Sequence, residues 1–474
     1  MGLMFRSREA AAMRRIVLLA AVAVTLVLLP APALAGRTVV ITGGGWGHGI
    51  GMSQYGAYGR ALNGRSATDI LEHYYSGARV RTANMPAGIR VGLLEGRRSI
   101  SATSSVFRSG KGQIVFKVAR GMRVATGNAG ANWRVVPSST GGIRLYKNGD
   151  RIKRNGKSVF GSPNRPLVAQ YERFHSLIRI TEKANNYAYG VMNFGTYSSG
   201  SCGDYCLRLV LRIPMQKYLF GLGEVPASWP QASLRSQAIA GRTYAFEKVR
   251  RSGQHRYPCD CAVYDSTYDQ AYIGDAKRTG SGSYWDDWKR AVKTTRSQVI
   301  LFKGAPIQAL YSSSSGGYTE NNENVWGGGP LPYLRGVPDG PDAVGANPNH
   351  TWRVSMRWRA FSSKLNRAFN TGALQKFRLL KPFGVSGRVT VVKGPDRGGV
   401  RIVGSNRTAR ASGWDIRSAL ALKDSLFRVT IRYDGAALSP DENGRERTVK
   451  ALSDALSTAA PPPPWQTEAT FSRP

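Results

Sequence analysis

Acidic residues are scarce in this chain of 474 residues. It has 29 Asp and Glu against 67 Lys and Arg, which gives a formal net charge of +38. A field of this sign favours polyanionic surroundings, either nucleic acid or the anionic polymers of a cell envelope. The scarcity also makes each glutamate in an apolar context conspicuous.

Cysteine is also rare, with four residues in two local pairs. In an oxidising compartment such pairs are disulfides by default. A bridge between Cys202 and Cys206 is sterically reasonable, whereas one between Cys259 and Cys261 would be strained, so pairing across the two motifs is the alternative. A zinc site built from both pairs is a further alternative, but the spacings match no recurrent zinc motif. We therefore expect disulfides, no metal and no cofactor.

Long apolar runs are absent after the N-terminus. Arg14 and Arg15 precede an apolar run from 16 to 29, and Ala33-Leu-Ala35 offers a small-residue cleavage site. This is the pattern of a secretory signal peptide, and the run is too short to span a bilayer. Met13 is an alternative start to Met1. The sequence thus predicts a secreted or cell-wall protein with no stable membrane span, which argues against nucleic acid as a partner.

Glycine is abundant, with 55 residues, and short alternating apolar runs recur between about 89 and 211. This pattern is typical of antiparallel sheets and barrels. We predict an α+β fold: a β-rich core with a few helices, plus smaller β-rich inserted or accessory domains. The expected division is a signal peptide at 1–35, an N-terminal segment at 37–85, a β-rich accessory region at 86–165, the core at 166–350, a β-rich C-terminal region at 351–435 and a disordered tail at 436–474.

One glutamate, Glu224, lies among Leu222, Gly223, Val225 and Pro226. Desolvation there should raise its pKa towards that of a general acid that keeps a proton near neutral pH. The alternative is a surface glutamate in a turn before a helix.

The segment after this glutamate, from 231 to 248, reads as one helix rich in small residues. Its apolar stripe is most simply core packing. Gln237 and Arg242 lie off the stripe, from where they could point into a groove beside Glu224.

Two further segments have the composition of ligand-binding loops. Residues 311–320 contain four serines and two glycines between aromatic residues, which favours a packed loop that presents hydroxyls and amides to a ligand over a flexible linker. Residues 43–57 contain glycines around Trp46 and His48, and glycine permits close backbone approach. They are followed by no convincing helix start, so they match no dinucleotide fingerprint. A catalytic triad lacks its nucleophile elbow, and a structural loop with one hydrogen-bonded histidine remains the alternative.

Together these segments resemble the SpoIID/LytB family, the stage II sporulation protein D group of cell-wall lytic transglycosylases and amidase enhancers. The resemblance covers about 165–340 well and 352–433 more weakly. The motifs that carry it are Tyr218-Leu-Phe-Gly221, Glu224-Val-Pro226, Trp229-Pro230, Ser236-Gln-Ala-Ile-Ala-Gly-Arg-Thr-Tyr-Ala245, Asp269-Gln-Ala-Tyr-Ile-Gly274 and the serine run at 311–320.

One departure concerns the order of motifs. The Gly-Trp-Gly-His-Gly motif stands near the C-terminus in the family but at 45–57 here, and residues 69–77 resemble the family's usual ending. The sequence therefore predicts a circular permutation in which the N-terminal segment completes the core in space.

The resemblance implies a lytic transglycosylase that cleaves peptidoglycan glycan strands, preferably peptide-stripped, to 1,6-anhydro products. Glu224 would be the single general acid/base. Residues expected to hold sugar groups are Gln237, Arg242, His48, Gln54, Ser315, Gly317 and Glu320. Two alternatives remain: a non-catalytic wall-binding protein that stimulates an amidase, or a two-carboxylate hydrolase that pairs Glu224 with Asp265, Asp269 or Glu320.

Overall fold

The computed structural model describes residues 36–171, 175–391 and 398–433. The predicted signal peptide and tail lie outside the described residues. Strands predominate over helices, which confirms the expected β-rich α+β fold. Within the described ranges, no helix combines the length and apolar character needed to cross a membrane.

The N-terminal segment forms strands and two helices. Its elements are β1 (Arg37–Gly44), β2 (Met52–Ser53), α1 (Gln54–Leu62), α2 (Ala67–Tyr74) and β3 (Arg79–Thr82). Helix α2 begins with Ser66 and Asp69 in a reciprocal capping box. Helix α1 contradicts the expectation that no helix follows the glycine-rich loop. Gly56 and Gly59 lower its intrinsic helix propensity and so obscured it, although Ser53 caps it through a bond from the Gly56 amide.

Two antiparallel sheets follow. Their strands are β4 (Gly88–Arg97), β5 (Ile100–Val106), β6 (Ile114–Val118), β7 (Arg123–Gly127), β8 (Asn132–Pro137), β9 (Ile143–Lys147), β10 (Asp150–Arg151), β11 (Leu167–Tyr171), β12 (Ser176–Ile180), β13 (Asn185–Tyr187), β14 (Val191–Ser198) and β15 (Tyr205–Pro214). One sheet has the order β10-β9-β8-β5-β12-β13. The other has the order β16-β4-β15-β14-β11-β6-β7, where β16 comes from later in the chain and runs parallel to β4. Both sheets combine strands from before and after residue 165. The predicted domain boundary at this residue therefore does not separate one sheet from the other.

The central region carries most of the helices. Its elements are α3 (Met215–Tyr218), α4 (Gln231–Ser252), β16 (Val263–Tyr264), α5 (Ala276–Ser281), α6 (Trp285–Thr294), β17 (Gln298–Phe302), β18 (Ala305–Pro306), β19 (Tyr311–Ser312) and α7 (Asn322–Trp326). The predicted stripe of α4 is buried throughout, as core packing requires. The residues between β18 and β19 form a loop.

The C-terminal region contains two three-stranded sheet units. Its elements are β20 (Thr351–Arg357), α8 (Trp358–Phe369), β21 (Leu374–Leu379), β22 (Val400–Gly404), β23 (Thr408–Ala411), α9 (Gly413–Leu420) and β24 (Phe427–Tyr433). The N-terminal strand β1 lies between β20 and β24 and pairs antiparallel with both. The first and last parts of the described chain therefore share one sheet.

Three apolar clusters hold these regions together. The first lies between the two large sheets and the central helices, and the third lies under the C-terminal sheets. The second joins α1 and α2 to α4 and to the strands around 300–309. This second cluster positions the N-terminal segment against the central region, where the candidate site lies.

Candidate functional site around Glu224

Glu224 lies in a short loop that a second loop clamps. Leu222 forms an isolated antiparallel bridge with Tyr272, and the Gly223 amide donates to the Ala271 carbonyl over 2.7 Å. In return, the Ala271 amide donates to Glu224 Oε1, also over 2.7 Å. The clamp fixes the backbone on both sides of the carboxylate and so restricts its orientation.

The surroundings of this carboxylate favour its protonated form. Burial raises the pKa of Glu224 above its usual range, although its side chain remains partly exposed. Hydrogen bonds from the Ala271 amide and from the Tyr311 and Gln54 side chains, together with the charge of Lys277, oppose this rise. The result is a carboxyl group that can hold a proton and whose carboxylate is still stabilised after the proton leaves.

A chain of buried hydrogen bonds fixes the tyrosine that touches Glu224. Gln270 Nε2 donates to the Tyr311 hydroxyl over 2.9 Å, and Gln270 Oε1 accepts from the Tyr218 hydroxyl over 2.9 Å. The Tyr218 ring stacks on Tyr272 at a centroid distance of 5.1 Å. Because Gln270 accepts from one tyrosine, its amide donates to the other, which leaves the Tyr311 proton for Glu224. The sequence assigned no role to Tyr311, Gln270 or Tyr218, although all three fall in its motifs.

The positive charge of Lys277 stabilises the carboxylate form of Glu224. Its side chain is buried, its ammonium donates to the Val225 carbonyl, and it lies 5.0 Å from the Trp288 ring centroid. Burial lowers the pKa of Lys277 to about 8, against the opposing effect of Glu224. Sequence analysis missed this residue because it lies 53 positions after the glutamate in a polar helix of its own.

The N-terminal glycine-rich segment lies against this site. Strand β2 pairs parallel with β19, so that Met52 faces Tyr311. Gln54 follows β2, bonds to Glu224 and donates from Nε2 to Gln237 Oε1 over 3.2 Å. The structure thus brings two of the predicted sugar-binding residues, Gln54 and Gln237, together beside the carboxylate.

His48 is one step further from the carboxylate. Its Nδ1 accepts from the Ile50 amide over 3.0 Å, and its ring is hydrogen-bonded to the backbone of Tyr311. Burial, and then the nearby positive charge of Arg388, lower the pKa of His48 to about 3. A neutral ring held in this way orients the backbone of Tyr311.

Three partly exposed aromatic side chains also lie beside the Glu224 loop. The rings of Tyr55 and Tyr58, one helical turn apart on α1, lie 5.1 Å and 5.0 Å from the ring of Trp229. Trp229 stands five residues after Glu224, so the cluster joins the N-terminal helix to the Glu224 loop. The sequence alone does not predict this cluster, because its residues come from two segments that are far apart in sequence.

The serine loop points inward rather than towards a ligand. The Ser315 hydroxyl donates to Asp339 over 2.7 Å, and the Ser314 hydroxyl donates to Asp342 over 2.7 Å. The Gly317 carbonyl accepts from the Asp339 amide, and its own amide donates to Ser315. The expectation that Ser315 and Gly317 face a ligand therefore finds no support in their contacts.

The same two aspartates bind the N-terminal segment. Ser53 donates to Asp342 over 2.7 Å, and Tyr74 donates to Asp339 over 2.6 Å. Burial and the neighbouring Asp342 raise the pKa of Asp339 to about 6. The serine loop is thus one side of a buried polar junction that joins α1 and α2 to the central region.

Two other residues that were predicted to bind sugar form hydrogen bonds in the protein interior. Glu320 is fully buried and accepts from the Ser386 hydroxyl and from the Asn324 side chain. The Arg242 guanidinium is also fully buried and donates to the carbonyls of Gln298 and Val292. The structure places neither side chain beside Glu224.

Both proposed partner aspartates are similarly engaged. Asp265 pairs with Lys183 at 2.8 Å. Asp269 pairs with Lys248 at 2.7 Å and with Arg256 at 3.3 Å.

The four cysteines form two local disulfides, Cys202–Cys206 and Cys259–Cys261. The pairing across the two motifs is therefore not the arrangement found, and neither is the zinc site, which would need thiolates. The second bridge lies beside β4 and packs against Val210 and Tyr264. Among the described residues, no group of acidic, histidine or cysteine side chains has the arrangement of a metal site.

Part of this chain, including Glu224, is similar to known proteins. Residues 205–302 match the model of the SpoIID family, described as Stage II sporulation protein. The chain is 32% identical over 141 residues to an amidase enhancer of Bacillus subtilis (strain 168), and 32% identical over 135 residues to Stage II sporulation protein D of the same strain. A Stage II sporulation protein D of Bacillus amyloliquefaciens is 30% identical over 135 residues.

These matches cover 27–30% of this chain, 17% of the amidase enhancer and 39% of each sporulation protein D. The chain thus spans less than half the length of these relatives. The region that matches the SpoIID family, residues 205–302, contains Glu224 and helix α4.

Proposed function

We propose that this chain is an exported cell-wall enzyme that cleaves peptidoglycan glycan strands as a lytic transglycosylase. The observation that carries the proposal is the environment of Glu224, a partly exposed carboxyl group whose pKa is raised by burial. The family match supports a cell-wall function, and the relatives named Stage II sporulation protein D and amidase enhancer agree with it.

The reaction needs one group that donates one proton and then accepts another. Protonated Glu224 donates to the glycosidic oxygen as the bond from C1 of N-acetylmuramic acid breaks. The carboxylate then accepts the proton of the C6 hydroxyl of that sugar as O6 bonds to C1, which yields the 1,6-anhydro product. The C6 hydroxyl proton restores the acid form of Glu224, and no water is consumed, because the neighbouring hydroxyl replaces an external nucleophile.

The neighbours of Glu224 suit this cycle. Burial favours the acid before donation, while the Tyr311 hydroxyl, Gln54 and Lys277 stabilise the carboxylate after it. An ordinary glycosidase needs a second carboxylate within about 5–10 Å. The candidates Asp265, Asp269 and Glu320 have interior partners of their own, which favours the one-carboxylate mechanism.

We also propose that the N-terminal segment is the displaced part of a permuted core. Its support is the parallel pairing of β2 with β19 and the contact of Gln54 with both Glu224 and Gln237. In this interpretation, residues 43–57 complete the catalytic groove from the opposite end of the sequence.

A second function is favoured by one of the matches. The relative named amidase enhancer raises the alternative that the chain binds wall glycan and stimulates an amidase without cleaving it.

Product analysis on peptide-stripped glycan strands tests these functions. Anhydro ends that appear with the purified full chain support the transglycosylase. New reducing ends would instead indicate a hydrolase and contradict the one-carboxylate mechanism. Glycan that remains intact, combined with faster hydrolysis by an added amidase, would replace the proposal with the enhancer function.

A further inference from the structure

The C-terminal region has a large excess of basic over acidic residues. Residues 351–433 contain 18 Lys and Arg against three Asp, with no Glu. Of the three aspartates, Asp424 is buried in an ion pair with Arg388, and Asp415 caps helix α9. Asp396 lies outside the described residues. The two described aspartates are thus committed to structural contacts.

Part of this charge is arranged in a line across one sheet. Strands β21, β22 and β23 pair antiparallel, and their register sets Arg378 opposite Arg401 and Arg401 opposite Arg410. We call these three residues the arginine row. All three side chains are exposed, while the alternate positions Ile402 and Val400 point into the third apolar cluster. The arginine row therefore lies on the outer face of the sheet.

Strand geometry sets the spacing of the arginine row, and a lysine lies beside it. Directly opposed residues of antiparallel strands have Cα atoms about 4.5–5.5 Å apart, so the three arginines extend over roughly 10 Å. Lys376 is two residues before Arg378 on the same face. With Arg378, Arg401 and Val403 it lines a shallow cavity of about 150 Å³.

Such an arrangement is unfavourable for the protein alone. Like charges directly opposed across strands destabilise a sheet. The central arginine, Arg401, faces one on each side. A bound anion would lower the repulsion between Arg378 and Arg401, which gives the row a physical reason as a binding surface.

We propose that the arginine row binds a phosphodiester-linked anionic polymer of the cell envelope. A guanidinium matches phosphate oxygens with two parallel hydrogen bonds, a geometry that lysine does not offer. A line of regularly spaced charges suits a repeating anion better than one small ion. The surface lies in the C-terminal sheet, apart from Glu224, so the proposal goes beyond glycan cleavage and does not depend on it.

Titration with poly(glycerol phosphate) tests the inference on the full exported chain. The triple variant Arg378→Gln/Arg401→Gln/Arg410→Gln removes the row. The matched control Arg123→Gln/Arg151→Gln/Arg154→Gln removes three exposed arginines from the two large sheets and their connections. We expect the row variant to bind at least about tenfold more weakly, and the control within about threefold of the parent chain. The salt dependence should also become shallower, by about one unit of slope for each phosphate that the variant no longer neutralises.

A thermal measurement gives an independent readout. Without polymer, Arg401→Thr should raise the melting temperature, because it removes the repulsion to Arg378 and leaves a good strand former. Saturating polymer should raise the melting temperature of the parent chain and of the control more than that of the row variant.

Several results would overturn the inference. One is equal loss of binding in the row variant and in its control. A second is equally tight binding of a polycarboxylate of the same charge, which would remove the phosphate preference. Tighter binding of duplex DNA would assign the surface to nucleic acid. Polymer binding seen only after removal of residues 436–474 would show that the tail of this chain occupies the surface.

Discussion

Gln54 donates from Nε2 to Gln237 Oε1 over 3.2 Å, although 183 residues separate the two in sequence. Gln54 begins the first helix of the N-terminal segment, and Gln237 lies in the long helix of the SpoIID region. Both are buried, and Gln54 also bonds to Glu224. The contact shows that the two segments meet at the Glu224 carboxylate. A substitution in either segment can therefore alter the environment of this carboxylate.

Removal of the acid is the most direct test. Glu224→Gln should abolish glycan cleavage, with a loss of at least about a hundredfold to ten-thousandfold, because an amide cannot cycle a proton. The amide oxygen can still accept from the Ala271 amide, so circular dichroism and the melting temperature should change little. Asp286→Asn, at an exposed helix position, is the control for loss of one carboxylate. Near-normal turnover in Glu224→Gln would show that another group is the acid.

The pH dependence should report the neighbours of this acid. The proposed mechanism needs protonated Glu224 in the free enzyme, so kcat/KM should fall as pH rises through its raised pKa. Tyr311→Phe removes a hydrogen bond that stabilises the carboxylate and lowers this pKa, so the fall should move to higher pH. Tyr318→Phe, in the same loop but packed near Gly336, is the matched control. An unchanged or lower midpoint in Tyr311→Phe would contradict the assigned hydrogen bond.

How much of this site the sequence could predict depends on the range of each contact. Glu224 was found from its local apolar context, and helix α4 from its own periodicity. The roles of Tyr311, Gln270 and Lys277 arise only when loops far apart in sequence meet. Conversely, Arg242 and Glu320 were assigned to sugar binding from motif and resemblance, yet their charges are satisfied by interior partners. A residue can belong to a motif because it binds a ligand or because it has partners in the interior, and only the structure distinguishes these two roles.

Helix α1 illustrates a second limit, because glycine serves packing there. A Cβ atom at Gly56 would lie 2.1 Å from the Tyr74 hydroxyl and 2.4 Å from Asp339. Gly56→Ala should therefore destabilise the fold by about 1–3 kcal/mol, despite the better helix propensity of alanine. Gly280→Ala, at a helical glycine with open space around it, should be neutral or stabilising by up to about 1 kcal/mol. Denaturant unfolding measures both, and equal effects in the two variants would show that close packing at Gly56 is not limiting.

The buried aspartates that hold this helix should make stability depend on pH. The pKa of Asp339 is raised from 3.8 to about 6, so between these values the folded state binds more protons than the unfolded state. The free energy of unfolding should then fall as pH rises from about 4 to 6. Asp339→Asn lacks this titration, so the stability of the wild type relative to the variant should decline over that window.

The partner aspartate acts in a different window. Burial would raise the pKa of Asp342, but hydrogen bonds from His350, Ser314 and Ser53 lower it overall. Its stabilisation is present above pH 3.8 and is lost only as pH falls further. Denaturant unfolding at several pH values between about 4.5 and 7.5 therefore isolates Asp339. A difference between wild type and variant that stays constant over this range would refute the raised pKa.

The aromatic cluster beside Glu224 should serve the substrate more than the fold. Tyr55 and Tyr58 stand three residues apart on one face of α1, and both rings contact Trp229 while staying partly exposed. In a groove that holds a glycan strand, such rings offer flat apolar faces to the sugars on either side of the cleaved bond. Because these contacts are made with substrate and transition state alike, Tyr58→Ala should raise KM, by about tenfold, with little change in kcat. Tyr268→Ala, which removes another exposed tyrosine from a different loop, should leave both constants unchanged. If Tyr58→Ala lowers kcat at unchanged KM, the cluster instead positions the Glu224 loop, and the groove that holds the glycan must lie along another face of the site.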